Sequence, residues 1–190
     1  MAVLPIYVAP HPVLKKPAAP VADVTDEIRQ LIKDMFETMY VTRGIGLAAP
    51  QVGKSVRVLV MDVEQSGDRG EDHEPPPTPG KPIAVINPEI VWTSDELNTY
   101  EEGCLSIPGQ YAEVERPEKV RVKYLDENGQ PQEMEADGLL ATCVQHEIDH
   151  LDGILFTDHL STLKRDMLLR KLKKWTREHE EDMKESYVLP

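Results

Sequence analysis

Residues 144–153 read VQHEIDHLDG, and no other stretch constrains the chain as tightly. His146 and His150 stand four positions apart, with Glu147 beside the first. On a helix, residues at that spacing share a face, with Cβ atoms ~5–6 Å apart. Two imidazole nitrogens can then converge on one ion. Glu147 is turned by about 100° from His146 and lies one turn before His150, so it can lean over the ion without ligating it. This is the HExxH arrangement of metallohydrolases, two ligands and one general base. Leu139, Leu140, Val144 and Leu151 flank the motif with apolar side chains. The helix is therefore a buried one, and buried histidines need partners.

The rest of the chain has to enclose that helix. Thr25 reads as the N-cap of a helix on which Ile28, Leu31, Ile32, Met35, Phe36 and Met39 recur at helical spacing, with Gly44 as its stop. The motif helix is expected to start near Asp137. A third is expected from Ser161 past Trp175, a C-terminal helix over 161–185. VRVLVMDV (56–63) reads as a strand, and IAVINPEIVW as a strand interrupted at Pro88. KVRVKYLD and QPQEMEA flank Asn128-Gly129, a tight hairpin turn. Residues 1–21 carry five prolines and read as an extended arm over the core. Residues 64–82, polar and Pro-rich, read as a mobile surface loop. Strands mixed with three helices, without βαβ alternation, give an α+β class.

A length of 190 residues suits one domain. The net charge of −13 argues against a DNA-binding or membrane-coating role. No run of 18 apolar residues is present, and the N-terminus lacks the pattern of a signal peptide. Two cysteines, Cys104 and Cys143, are too few for a disulfide scaffold. A reduced, cytosolic compartment is expected, where cysteines serve as ligands or nucleophiles more often than as cross-links.

Two imidazoles leave a catalytic metal site one protein ligand short. The third is either a downstream group, with Asp158 and His159 as candidates, or a cysteine. EEGCLSIPG holds Cys104 between Gly103 and Leu105, where glycine marks a special turn or close approach. A third stretch, GIGLAAPQVG (44–53), reads as a loop of small residues that approaches something closely and ends in Gln51.

Together, GIGLAAPQ, EGCLS and QHEIDHLDG resemble the three motifs of the peptide deformylase family, in the same order. The resemblance covers nearly the whole chain. It implies antiparallel β-sheets around the metal-bearing helix, with an N-terminal and a C-terminal helix. It implies Cys104, His146 and His150 as metal ligands and Glu147 as general acid/base. Gln51 and the Leu105 backbone N–H would form the oxyanion hole. Gly44, Ile45, Gly46, Glu102, Gly103, Leu139, Thr142 and Cys143 would contact substrate. The implied reaction removes the formyl group from the N-terminal formylmethionine of nascent polypeptides in a bacterial cytoplasm, releasing formate. The implied ion is ferrous iron, with zinc, nickel or cobalt able to occupy the site. A monomer is expected. The chain departs from the family in its long 64–82 loop, in Asp152, and in Tyr111, where many bacterial members carry arginine.

Three other readings compete. An HExxH peptidase would take its third ligand downstream. A cysteine hydrolase would use Cys104 as nucleophile and His146 as base. A non-catalytic protein would bind metal without turnover. One further feature is the segment 161–177, with seven basic residues and one acidic in a chain of −13. On a helix, Arg170, Lys173, Lys174 and Arg177 share a face, and Leu160, Leu163, Met167 and Trp175 form a neighbouring stripe expected to pack on the domain. For an enzyme of nascent chains, that basic face is a candidate contact with the ribosome surface.

Overall fold

The structure is a computed structural model and describes residues 2–66, 76–183 and 186–189. The element order is β1 (Ile6–Tyr7), α1 (Asp26–Val41), β2 (Gly46–Ala48), β3 (Val58–Met61), β4 (Ile83–Thr93), β5 (Leu97–Cys104), β6 (Ile107–Pro117), β7 (Lys119–Leu125), β8 (Pro131–Asp137), α2 (Gly138–Leu151), α3 (Thr162–Glu178), α4 (Glu180–Met183) and β9 (Tyr187–Val188). Strands β2, β3, β4, β7 and β8 form one five-stranded sheet in the order β2-β3-β4-β7-β8. All of its pairings are antiparallel. Strands β5 and β6 form a separate antiparallel ribbon, and β9 returns to pair parallel with β1.

The helix that carries the motif is buried along nearly its whole length, from Ala141 to Ile148. Its apolar side, with Ala141, Val144, Ile148 and Leu151, packs on Leu59, Met61, Val85, Val120 and Val122 of the sheet. Leu139, at the helix start, is 38% exposed. Thr25 caps α1, its Oγ1 accepting from Ile28 N at 3.4 Å. Asp26 and Glu27 occupy the first turn, where negative charge complements the helix dipole. The helix ends in a Schellman arrangement: Arg43 N donates to Tyr40 O and Gly44 N to Met39 O.

Several expectations need correction. Strand β4 passes through Pro88 rather than breaking there. Asn87 takes φ 51° at a register shift, and its side chain exchanges two hydrogen bonds with the Val21 backbone. The β5–β6 ribbon, unmarked by sequence pattern, runs from Leu97↔Pro117 to Gly103↔Tyr111. The C-terminal helix ends at Glu178 instead of continuing toward 185, and α4 and β9 follow it. Of the expected stripe, Leu160 and Trp175 pack on the domain, whereas Leu163 and Met167 are 68% and 49% exposed; the fully buried residues of α3 are Leu168 and Leu172. Around the 64–82 loop, Asp62 ties down both ends of the stretch. It accepts from Glu64 N, Gly80 N and Lys81 N, and Ser66 bridges Thr78. The middle of the expected mobile loop, 67–75, lies outside the described residues.

Candidate metal centre

Cys104 comes from the end of β5, and His146 and His150 come from one face of α2. Their ligand atoms all lie within 4.8 Å of one another. The ribbon's register slips between Gly103 and Cys104, so that Cys104 faces Ile107. A slip of this kind re-aims the side chain next to it. Here it brings Cys104 Sγ to 3.2 Å from His150 Nε2. His146 gives its Nδ1 to Glu102 Oε2 at 2.9 Å, which leaves Nε2 for the centre. Phe156 stacks against the His146 ring.

Glu102 is 5% exposed, and both of its oxygens are engaged by Arg116, with His146 sharing one. Arg116 also reaches Asp149 Oδ2 at 2.8 Å, and His159 Nε2 meets the same oxygen at 2.7 Å. Glu102 is expected from sequence among the substrate contacts. It borders the cleft, but its carboxylate is spent on orienting His146. Arg116 and Asp149 went unread in the sequence, and His159 entered only as a candidate downstream ligand. The i,i+3 spacing of His146 and Asp149 is the one signal that places Asp149 beside this network.

Burial pushes the Glu102 carboxyl up, but hydrogen bonds from His146 and Arg116 outweigh it and bring it to about 2. Burial pushes His146 down, while hydrogen bonds to Cys104 and Glu102 and the charge of Glu147 hold it well above its ordinary value. Burial and the neighbouring His146 charge press His150 well below its own. A thiol and two imidazoles converge in a buried space, one imidazole favouring the neutral form and the other oriented by a carboxylate. This donor set fits a tetrahedral divalent ion with one position open. Ion binding displaces the His146 proton, because a ligating imidazole is neutral. The downstream ligand candidates are engaged elsewhere: Asp158 with Lys15 and the Leu155 amide, His159 with Asp149.

Glu147 follows His146 and is 4% exposed. Its Oε2 is buried with no hydrogen-bond partner among the described residues. Burial pushes its carboxyl up to about 7, against the His146 charge that lowers it. Gly46 is required here. A Cβ at that position would lie 2.5 Å from Glu147 Oε1 and 2.9 Å from Cys143 Sγ. Gln51 is 1% exposed, and its Oε1 accepts from Ala48 N at 2.8 Å. That bond turns Nε2 toward Cys104 Sγ, 3.5 Å away, and Ser106 Oγ, 3.2 Å away.

A cleft of about 510 Å³ opens over these groups. One wall is the turn before β2 and its first residue, Gly44, Ile45 and Gly46. A second is the end of the ribbon, with Gly103 and Leu105. The third is α2, with Leu139, Thr142 and Cys143. Tyr111 stands at the rim, 65% exposed, its ring lying against Gly103.

The model of the polypeptide deformylase family matches residues 3–166. The chain belongs to that family. The peptide deformylase of Brucella suis is 53% identical over 174 residues, 92% of this chain and 94% of the relative. The crystal structure of a peptide deformylase from Legionella pneumophila superposes with a TM-score of 0.82 at 47% identity, covering 94% of this chain and 98% of the other. That of Ehrlichia chaffeensis peptide deformylase in complex with actinonin gives 0.82 at 44% identity, covering 93% and 99%. This family's members are metal-dependent hydrolases that remove the N-formyl group from N-terminal formylmethionine. This chain is therefore a deformylating hydrolase. Among the described residues, no helix is long and apolar enough to cross a membrane.

Proposed function

We propose that Cys104, His146 and His150 hold a ferrous ion in the cell, and that Glu147, Gln51 and the Leu105 N–H carry the chemistry of deformylation. The observation that carries this reading is the convergence of one thiol and two imidazoles beside a buried carboxylate whose oxygen has no hydrogen-bond partner among the described residues. A divalent ion supplies a Lewis acid that polarises a carbonyl and acidifies water. Glu147 takes the proton of the attacking water and returns it to the departing amine. The carbonyl oxygen gains negative charge, and Gln51 Nε2, already turned toward the centre, donates to it together with the Leu105 amide. A donor of this kind is typically worth ~2.7–4 kcal/mol. Gly44 and Gly46 bring backbone close to the reacting carbon and leave room for hydrogen on it. The methionine side chain lies against Ile45, Leu139, Thr142 and Cys143, and the peptide beyond adds as a strand to exposed backbone.

The donor set suits iron, zinc, nickel and cobalt, so the ion has to be measured. Metal analysis of anaerobically purified protein, beside turnover of a formyl-Met tripeptide, tests the assignment. About one iron per chain, with activity lost on chelation and restored by ferrous salt, is the expected result. Activity that survives complete chelation overturns it in favour of a Cys104 nucleophile. The enzyme works as a monomer in the bacterial cytoplasm, the whole chain acting as one unit. Its exposed basic face on α3 meets the ribosome that supplies its substrate.

A further inference from the structure

Gln65 stands at the root of the 64–82 loop and is 8% exposed. Its Nε2 donates to Gly44 O at 2.9 Å, while its Oε1 is buried without a partner among the described residues. The polar side chain is thus kept in the interior for one bond, and that bond ends on the wall of the catalytic cleft.

The wall needs holding. Arg43 sits at φ 58°, in the left-handed region that a non-glycine residue adopts only where its surroundings impose it. Three bonds follow in order along the next residues. Gly44 N donates to Met39 O of α1 at 2.9 Å, Gly44 O accepts from Gln65, and Ile45 O accepts from Asp62 N at 2.8 Å. The second and third come from the segment just after β3. Asp62 in turn gathers the Gly80 and Lys81 amides, so both ends of the long loop are fastened to the same place. The Gly44 carbonyl and the Ile45 amide share one peptide plane. Freed from Gln65, that plane can rotate, which re-aims the Ile45 N–H. It also shifts Gly44 against Leu105, whose Cδ1 lies 2.8 Å from where a Cβ on Gly44 would be.

We propose that Gln65 is a positioning residue for deformylation. Through the Gly44 carbonyl it fixes the Gly44–Ile45 peptide and preorganises the cleft wall along which the formylmethionyl chain binds. The inference rests on the cleft's assignment as the peptide site. It makes the root of the 64–82 stretch, which lies outside all three motifs, part of the site's support.

The test is steady-state kinetics of Gln65→Met and Gln65→Glu on a formyl-Met tripeptide, per metal-loaded site, at a temperature where both are fully folded. Both side chains keep the approximate reach and lack the donor at neutral pH. A bond of this class is worth about tenfold in an equilibrium, so KM is expected to rise about tenfold, with kcat changed far less. A side chain that merely stabilises the fold would lower the unfolding midpoint and leave KM at the wild-type value. That result, in either variant, overturns the proposal. Glu147→Gln, assayed alongside, tests the underlying site separately: near-wild-type turnover there overturns the site assignment and the proposal with it.

Discussion

Glu147 is the buried carboxylate on which the proposed proton transfer depends. It is buried, pushed up to about 7, and placed where Gly46 leaves no room for a larger neighbour. Glu147→Gln preserves the shape and all three donor atoms but cannot accept a proton. Metal content is expected to stay near one per chain while kcat falls ~10²–10⁴-fold. Retention of more than about a tenth of kcat would remove Glu147 from the role of base. Arg116 is the other residue on which the site turns, because it neutralises Glu102 and Asp149 from within the protein. Arg116→Met leaves the buried Glu102 charge without its cation, a loss of ~3–5 kcal/mol. It also loosens His146, where removing second-layer support costs ~10–100-fold in metal affinity. The pH dependence follows from the sign of the shift. Glu102 has a folded value of about 2, below its ordinary 4.5. Its contribution is therefore present above that ordinary value and is lost as pH falls toward 2. Denaturant unfolding of metal-free protein, in which His146 keeps its proton, should show wild-type stability dropping across this window and a shallower drop in Arg116→Met. Identical slopes would mean that Arg116 does not hold Glu102 down. The three motifs and their order were legible in the sequence because each is a local pattern of reactive residues; the place of Cys104 beside the two histidines came only from the family resemblance. The bonds of Glu102 to His146 and Arg116 were not legible because its orientation depends on its strand. Glu101 faces solvent and Glu102 the interior, a distinction set by pairing with β6. Arg116 was invisible for a related reason: its partners lie 14 and 33 positions away.

Elements were legible where one face is apolar and the ends are marked. α1 begins after Thr25, α2 after Asp137 and α3 after Ser161, as the sequence indicates, and β7 and β8 meet around Asn128-Gly129. The β5–β6 ribbon escaped because most of its side chains are polar or exposed, so no alternating apolar pattern marks it. What defines it is backbone pairing, with Arg116 on its inner side. Strand β4 was cut at Pro88 because proline cannot donate to a ladder. The bulge at Asn87 places it where the pairing already skips. α3 shows how small a phase error matters. Leu163 and Met167 lie on the solvent side, while Leu168, one position on from Met167, is rotated by about 100° into the core. The buried stripe is Leu168 and Leu172, flanked by the half-buried Leu169 and Trp175, against Ile107, Val114 and Phe156, so it supports the turn that carries Cys104. Leu168→Ala or Leu172→Ala should therefore cost ~2–5 kcal/mol. Leu163→Ala should stay within ~0.5 kcal/mol. Equal losses at Leu163 and Leu168 by chemical denaturation would show that the helix packs in the other phase.

Across the whole molecule, charge is divided unevenly. The chain carries −13, yet residues 161–177 hold seven basic side chains and one acidic. Arg170, Lys173, Lys174 and Arg177 are all exposed on α3. The one ion pair that any of these four makes among the described residues, Lys174 with Glu178 at 3.7 Å, is open to solvent on both sides. Such a pair contributes little to stability and leaves the positive face available. α3 also packs through Leu168 and Leu172 on the side away from this face, so the charges can be changed without touching the core. A polyanionic surface would attract this helix and repel the acidic body, which orients the protein as well as binding it. Replacing the four basic residues with Glu removes four positive charges and adds four negative ones, taking −13 to −21. The variant is expected to lose co-sedimentation with ribosomes at low ionic strength and to keep the wild-type unfolding midpoint within experimental spread. For the wild type, binding should weaken steadily as salt is raised, because the attraction between exposed charges is screened over ~10 Å at 0.1 M ionic strength. A variant that sediments with ribosomes as well as wild type, or wild-type binding that is indifferent to salt, would show that this face is solvated surface. Ribosome contact, if any, would then have to come from elsewhere on the molecule.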